Sequence, residues 1–432
     1  MSEAQTSGAL LGLNRYQWLV LFAAWLGWGF DVFDGLLFNY VSPICVPALL
    51  GLDPADPATK TETLYVTAWL TSLLLLGWAL GGIAFGQLTD RLGRTRTLLL
   101  TMLTYSLATA ACALAPNLPT LALFRFIASL GIGGEWAAGA ALVAESLPKE
   151  RRVLGGALLY TSAPMGLFLA TFVNDLFTRK LDRIAADPTL SWRVVFATGL
   201  LPALVALAIR TRVREPELWQ PSSAPRLGEL WTPELRKNTL GGLSMAVIAL
   251  ITWWSCSAFI PVVAGNLSAG APIPAGQTAA LVRTGFITTA TTAFNLGGLL
   301  GTLITIPAAL YLGRRKMFLL YFLAGAASIH WTFGLDHTAS VRMLSMFGVG
   351  LSVFGVFGAF SFYLPELFPT RLRGTGSGLC YNAGRIVTAA FPFGVGWVVR
   401  GGAAPLEVLS WVALVPLIGV VLVASGLVSE TR

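Results

Sequence analysis

An all-α polytopic membrane protein, with twelve transmembrane helices in two pseudo-symmetric halves of six, is the fold class this sequence predicts. Three observations predict it. Of 432 residues, 55% are apolar and only 12% charged, where a soluble domain carries roughly 25% charged residues, and mean hydropathy is +0.71. The apolar residues gather into runs of the ~20 residues that cross a bilayer. The charged punctuation between those runs then repeats itself about halfway along the chain.

The spans follow from that punctuation. The first, 17–42, starts after Arg15 and carries only Asp31 and Asp34 as charges; the second, 64–88, stops before Asp90-Arg91. The third, 97–115, is bounded by Arg96 and by Pro116-Asn117, and the fourth, 119–146, by that same turn and by Pro148-Lys149. The fifth, 153–176, ends before Arg179-Lys180, and the sixth, 193–210, at Arg210. In the second half 238–265 follows Arg236-Lys237, 283–311 ends before Gly313, and 316–335 ends before Asp336. The last three are 341–366, ending before Pro369; 376–399, ending before Arg400; and 405–428, opened by Pro405.

Positive charge orients the stack, because loops rich in Lys and Arg stay cytoplasmic. Nineteen basic residues fall on one side, in clusters such as Arg91/Arg94/Arg96, Lys149/Arg151/Arg152 and Arg314/Arg315/Lys316; eight fall on the other, leaving Arg125 and Arg385 inside spans. Both termini are therefore expected in the cytoplasm, with the protein in an inner (plasma) membrane. The same clusters explain the net charge of +8 without a nucleic-acid partner. No cleavable signal peptide is expected from residues 1–15. Cys45, Cys112, Cys256 and Cys380 lack metal or redox spacing, and His330 and His337 have no nearby ligand types, so no metal and no cofactor are expected.

The repeat defines the domains. Asp90-Arg91-Leu-Gly93-Arg94 after the second span is matched by Leu310-Tyr-Leu-Gly313-Arg314 after the eighth, and Glu145, Pro148, Arg152 and Gly155 are matched, 221 residues later, by Glu366, Pro369, Arg373 and Gly376. This gives one half at 1–210, a charged connection at 211–237 and a second half at 238–432.

Gly86-Gln-Leu-Thr-Asp90-Arg91-Leu-Gly93-Arg94 closely resembles the G-x-L-x-D-R-x-G-R loop signature of the major facilitator superfamily. Arg125 to Gly133 is similar to that family's fourth-helix R-x(7)-G pattern, and Arg214-Glu-Pro-Glu-Leu-Trp219 to its P-E-S-P-x-W element. The second copy departs, with Leu310 in place of Asp90, so a matching inner latch in that half is in question. Phe30-Asp31-Val-Phe-Asp34, Gly133-Gly-Glu135-Trp136 and Tyr381-Asn382-Ala-Gly384-Arg385 resemble strings of the sialate and organic-acid proton symporters. The resemblance implies secondary active transport by alternating access, with proton-coupled symport of a small organic anion such as lactate, pyruvate, shikimate or sialate. It implies no enzyme activity, and a chain that works as a monomer.

Ionisable groups at bilayer depth cost about 2.5 to 3.5 kcal/mol or more each and face a cavity or a partner. Asp31 and Asp34, spaced i, i+3, share one helical face. From the span centres, Asp34 lies about 7 Å and Arg125 about 10 Å to the outer side, so the two are expected to meet. Asp31 or Asp34 is the expected proton carrier, opposed by Arg125; a permanent ion pair that only fixes packing is the competing reading. Glu135 lies about 280° around the helix from Arg125, so a different face is expected for it, as a second proton site or a packing residue.

Arg385 is the expected ligand of the substrate anion, because its planar fork suits a carboxylate, with Asn382 and Tyr381 three and four residues before it. Trp253 and Trp254, and Thr292 and Asn295, are secondary candidates. Asp90, Arg91, Arg94, Glu145, Arg152, Glu366 and Arg373 sit at inner helix ends and are expected to gate, with Glu145 opposite Arg152. The rival readings are an exporter or exchanger of aromatic acids or cations, for which Asp31, Asp34 and Glu135 would form the site, and a membrane receptor that transports nothing.

Overall fold

The computed structural model describes residues 10–53, 57–219, 225–275, 279–388 and 405–430. Helices of seven residues or more are numbered in chain order: α1 Arg15–Leu50, α2 Pro57–Leu92, α3 Arg94–Cys112, α4 Leu118–Ser146, α5 Arg152–Tyr160, α6 Ser162–Asp175, α7 Pro188–Ala197 and α8 Leu201–Arg212. They continue as α9 Arg236–Leu267, α10 Ala279–Pro307, α11 Arg314–Ile329, α12 Ala339–Val349, α13 Phe357–Glu366, α14 Arg373–Thr388, α15 Pro405–Trp411 and α16 Leu414–Ala424. Among the described residues there is no strand. A lipid-immersed backbone must bond to itself, and the helix does so within one segment.

Among the described residues helix falls in each of the twelve expected spans, and nine stretches are long and apolar enough to cross a membrane. The eleventh expected span is seen through Thr388; its remainder, to 399, lies outside the described residues. Several spans are broken. The fifth is split as α5 and α6, the sixth as α7 and α8, and the tenth carries a π turn at Gly350–Phe354 between α12 and α13. Large apolar side chains point outward along the spans, among them Leu76, Leu107, Phe168, Leu344 and Val421, as lipid contact requires.

The helix ends are specified locally. Asn14 and Gln17 form a reciprocal capping box at the start of α1, and Asn117 caps α4 through Thr120. Gly93 and Gly313 hold φ of +109° and +80°, so each turns the chain sharply into α3 and α11, where a side chain would be strained.

The chain forms two compact units, one of Met1–Gly155, Thr161–Leu230 and Phe368–Asn382, the other of Gly156–Tyr160, Trp231–Leu367 and Ala383–Arg432. Within the first, α2 and α4 cross with backbone touching backbone. A Cβ on Gly81 would lie 2.0 Å from the Leu130 carbonyl, and one on Gly133 would lie 1.9 Å from that of Trp78. Within the second, Gly301 stands 2.1 Å by the same measure from the Leu351 carbonyl, and Gly297 2.0 Å from that of Phe347. The crossing is thus repeated in kind, with small residues admitting close approach.

Candidate functional site

Asp34 and Arg125 do meet. Both are buried; Arg125 Nη1 lies 3.1 Å from Asp34 Oδ1, and the guanidinium also donates to the backbone carbonyls of Asp34 and Gly35, at 3.3 and 3.2 Å. Thr109 of α3 completes the cluster. Its hydroxyl oxygen lies 2.5 and 2.6 Å from the two oxygens of Asp34, so the carboxylate is ringed by donors. Asp31, one turn earlier on α1, is buried as well.

Arg125 and Glu135 differ in angle, as the helical wheel has them, and both reach α1. A Cβ on Gly27 would lie 2.2 Å from Glu135 Oε1, so the glycine makes room for the acid. An offset of about 80° the short way round still lets both side chains touch one broad neighbour, at Gly27 and at Asp34. The Thr101 hydroxyl lies 3.0 Å from Glu135 Oε2 and 2.8 Å from the Leu98 carbonyl, with one proton to give to either.

One face of α3 therefore serves both acidic sites, with Thr101 at Glu135, Tyr105 donating to the Gly27 carbonyl at 3.3 Å, and Thr109 at Asp34. Sequence reasoning passed over these three residues. Their signal was the spacing of 101, 105 and 109, which stacks polar groups on one side of a helix otherwise rich in leucine and alanine.

At the far end of the first unit, Arg94 is buried in a network. It donates to both oxygens of Glu145, at 2.7 and 2.8 Å, and to the carbonyls of Thr89 and Thr370; it also pairs with Asp90 at 3.0 Å. Asp90 accepts from the backbone N–H groups of Gly374 and Thr375 at the start of α14. Glu145 is bonded by Arg94 and by Arg373, the latter at 3.0 Å. Arg91 is exposed and Arg152 half-buried. Glu215 accepts from the N–H groups of Arg94, Thr95 and Arg96, capping α3.

The second unit carries the same clasp, which corrects the doubt raised by Leu310. Arg314 donates to both oxygens of Glu366, at 2.8 and 3.2 Å, and to the Ala309 carbonyl, while Glu430 accepts from the N–H groups of Arg314 and Arg315. The arginine finds its carboxylate on α13 and needs none one turn away to form this pair.

Tyr381 and Asn382 count with the first unit and Arg385 with the second, all three buried on α14. Tyr381 stacks on Trp136 at 4.2 Å between ring centres, and Asn382 lies against Gly82. Trp253 and Trp254 meet edge to face at 4.9 Å, and Trp253 packs with Phe354 and Phe357, which Tyr160 also contacts. Asn295 is half-buried and Thr292 exposed. Among the described residues no group of three or more His, Cys, Asp or Glu could hold a metal.

Known proteins give the arrangement its context. Residues 14–392 match the model of the Major Facilitator Superfamily. The chain is 30% identical, over 87% of its length and 82% of the relative's, to a probable 4-methylmuconolactone transporter of Cupriavidus pinatubonensis. It is 28% identical, over 88% and 87%, to the sialic acid transporter NanX of Escherichia coli. Among solved structures, the proton:xylose symporter XylE shares the fold at a TM-score of 0.75 with 18% identity, covering 96% of this chain and 97% of that one. A family match across most of the chain, nine candidate membrane spans among the described residues and a common fold lead to one conclusion: this multi-pass membrane protein belongs to the Major Facilitator Superfamily, whose members here are transporters and not enzymes.

Proposed function

We propose that this transporter carries a small organic anion together with a proton, by alternating access, and that Asp34 is a coupling site. The observation that carries the reading is the buried cluster of Asp34, Arg125 and Thr109. A buried ion pair tolerates loss of one charge poorly, since the other is then left uncompensated. Protonating Asp34 therefore unbalances Arg125, and the balance is restored when an anion enters with the proton. The names of the relatives, 4-methylmuconolactone and sialic acid, support a small oxygen-rich organic cargo.

Arg385 is the proposed ligand of the anion, with Asn382 and Tyr381 on its helix and Trp253, Trp254 and Asn295 as secondary contacts. Asp90, Arg91, Arg94, Glu145, Arg152, Glu366 and Arg373 are the proposed gate, since helix-end ion pairs can hold one state until a ligand shifts the equilibrium. The clusters of positive charge at alternate helix ends support an inner-membrane location with cytoplasmic termini. The protein is proposed to act as a monomer.

The test is internal pH in proteoliposomes as lactate, pyruvate, shikimate, sialate, a benzoate, a sugar and an organic cation are added in turn. Acidification by one of the acids, abolished in Asp34→Asn, is expected. A response to the cation alone would overturn the anion reading.

A further inference from the structure

The two acidic sites served by α3 are bonded differently, and the difference lies in where a proton can sit. Around Asp34 every partner is a donor: the Arg125 guanidinium and the Thr109 hydroxyl. That shell fits an ionised carboxylate. Around Glu135 the inventory is reversed. The Thr101 hydroxyl owns one proton and lies 2.8 Å from the Leu98 carbonyl, an acceptor that cannot reciprocate. Given to Leu98, that proton leaves only lone pairs toward Glu135 Oε2, 3.0 Å away. The contact is then a hydrogen bond only if Glu135 supplies the proton. Glu135 Oε1, against Gly27, has no hydrogen-bond partner among the described residues, which a carbonyl oxygen of a neutral acid tolerates far better than a carboxylate does.

We infer that Glu135 holds a proton in this conformation, donated through Oε2 to Thr101, and that Thr101 is the residue that positions it. The chain thus carries two buried acids in complementary states, one ionised at Asp34 and one neutral at Glu135, joined along the α3 face by Tyr105. The nearest titratable groups are Tyr105 from α3, which donates to the carbonyl of Gly27 beside Glu135, and Asp31 and Asp34, which follow Gly27 by about one and two turns on α1. The neutral neighbours are Gly27 from α1 and Thr101 and Met102 from α3, and Arg125, on α4 itself, is engaged with Asp34. Among these groups the cation is already committed elsewhere. The inference deepens the proton-coupled reading and names a second proton site within it, but its test does not depend on transport.

The test is infrared spectroscopy of the purified protein in lipid nanodiscs at neutral pH, read at the C=O stretch of protonated carboxyl groups. A carboxylic-acid band is expected in the unaltered chain, lost in Glu135→Gln, retained in Asp34→Asn, moved to higher frequency in Thr101→Val and restored to its place in Thr101→Ser. Gln keeps the shape and polarity of a neutral acid, so Glu135→Gln is expected to unfold at the same temperature as the parent. A carboxylic-acid band of undiminished intensity in Glu135→Gln, or one that ignores Thr101→Val, would overturn the inference whatever the uptake assay shows. A chain that passes this test and moves no protons with its substrate would instead overturn the symport reading alone.

Discussion

Arg94 grips both oxygens of Glu145, and 220 residues later Arg314 grips both oxygens of Glu366 in the same way. The two clasps differ in burial: Arg94 and Glu145 are fully enclosed, whereas Arg314 and Glu366 each keep 12% of their side-chain surface. Removing one member of an enclosed ion pair strands its partner, at about 3 to 5 kcal/mol. Glu145→Gln is accordingly expected to lower the unfolding midpoint well below that of Glu366→Gln, for which roughly 1 to 3 kcal/mol is expected. Thermal unfolding of the two variants in one detergent checks the order.

The Asp34 cluster yields a split between assays. Asp34→Asn is expected to abolish uptake driven by a pH gradient while leaving substrate counterflow measurable, because exchange needs no net proton movement. Thr109→Val, which removes a donor at 2.5 Å but leaves Arg125 in place, is expected to weaken gradient-driven uptake several-fold. Equal loss of uptake and counterflow in Asp34→Asn would mean that the pair only holds helices together.

Arg385 is expected to act on affinity. Loss of a charged hydrogen bond to a carboxylate is worth about 1.5 to 3 kcal/mol, or roughly 10- to 100-fold in KM. Arg385→Ala is expected to show that rise and Arg385→Lys a smaller one, since lysine keeps the charge but not the fork. An unchanged KM in both would remove Arg385 from the site.

The α2–α4 crossing has no space for a side chain. Gly133→Ala would drive a methyl to 1.9 Å from the Trp78 carbonyl, so the helices must separate, at about 1 to 3 kcal/mol. Gly228→Ala, where nothing lies within 4 Å, is the matched control with no expected loss. The unfolding midpoints of the pair measure the effect.

Outside the membrane, Glu229 has a carboxyl held below the ordinary range, chiefly by its hydrogen bond with Arg371 and further by the Arg226 N–H. A carboxyl lowered in the folded state stabilises it at pH values above the unfolded carboxyl range and gives up that contribution as pH falls through the folded value. The unfolding midpoint of the parent is thus expected to fall toward that of Glu229→Gln on acidification, converging at the lowest pH. The pair is partly exposed, so the gap is small, about 0 to 1 kcal/mol.

The spans were legible because apolar runs and charge clusters obey the bilayer directly. So was the meeting of Asp34 and Arg125, since rise per residue sets depth once span centres are known. The Thr101, Tyr105 and Thr109 face was visible as spacing but not as function, because threonine and tyrosine are ordinary in a span until a carboxylate is known to lie opposite. Glu430 could not be read at all: its place as the counterpart of Glu215 depends on the last helix returning to the start of α11. The clasp of Arg314 is hidden in the sequence because the local residue is Leu310, while the partner that matters, Glu366, lies two helices further on.

Where Gly81 and Gly133 bring α2 and α4 together, main chain rests on main chain. A contact of that kind has no rotamers with which to absorb strain. The two helices are accordingly expected to shift together rather than slide past one another.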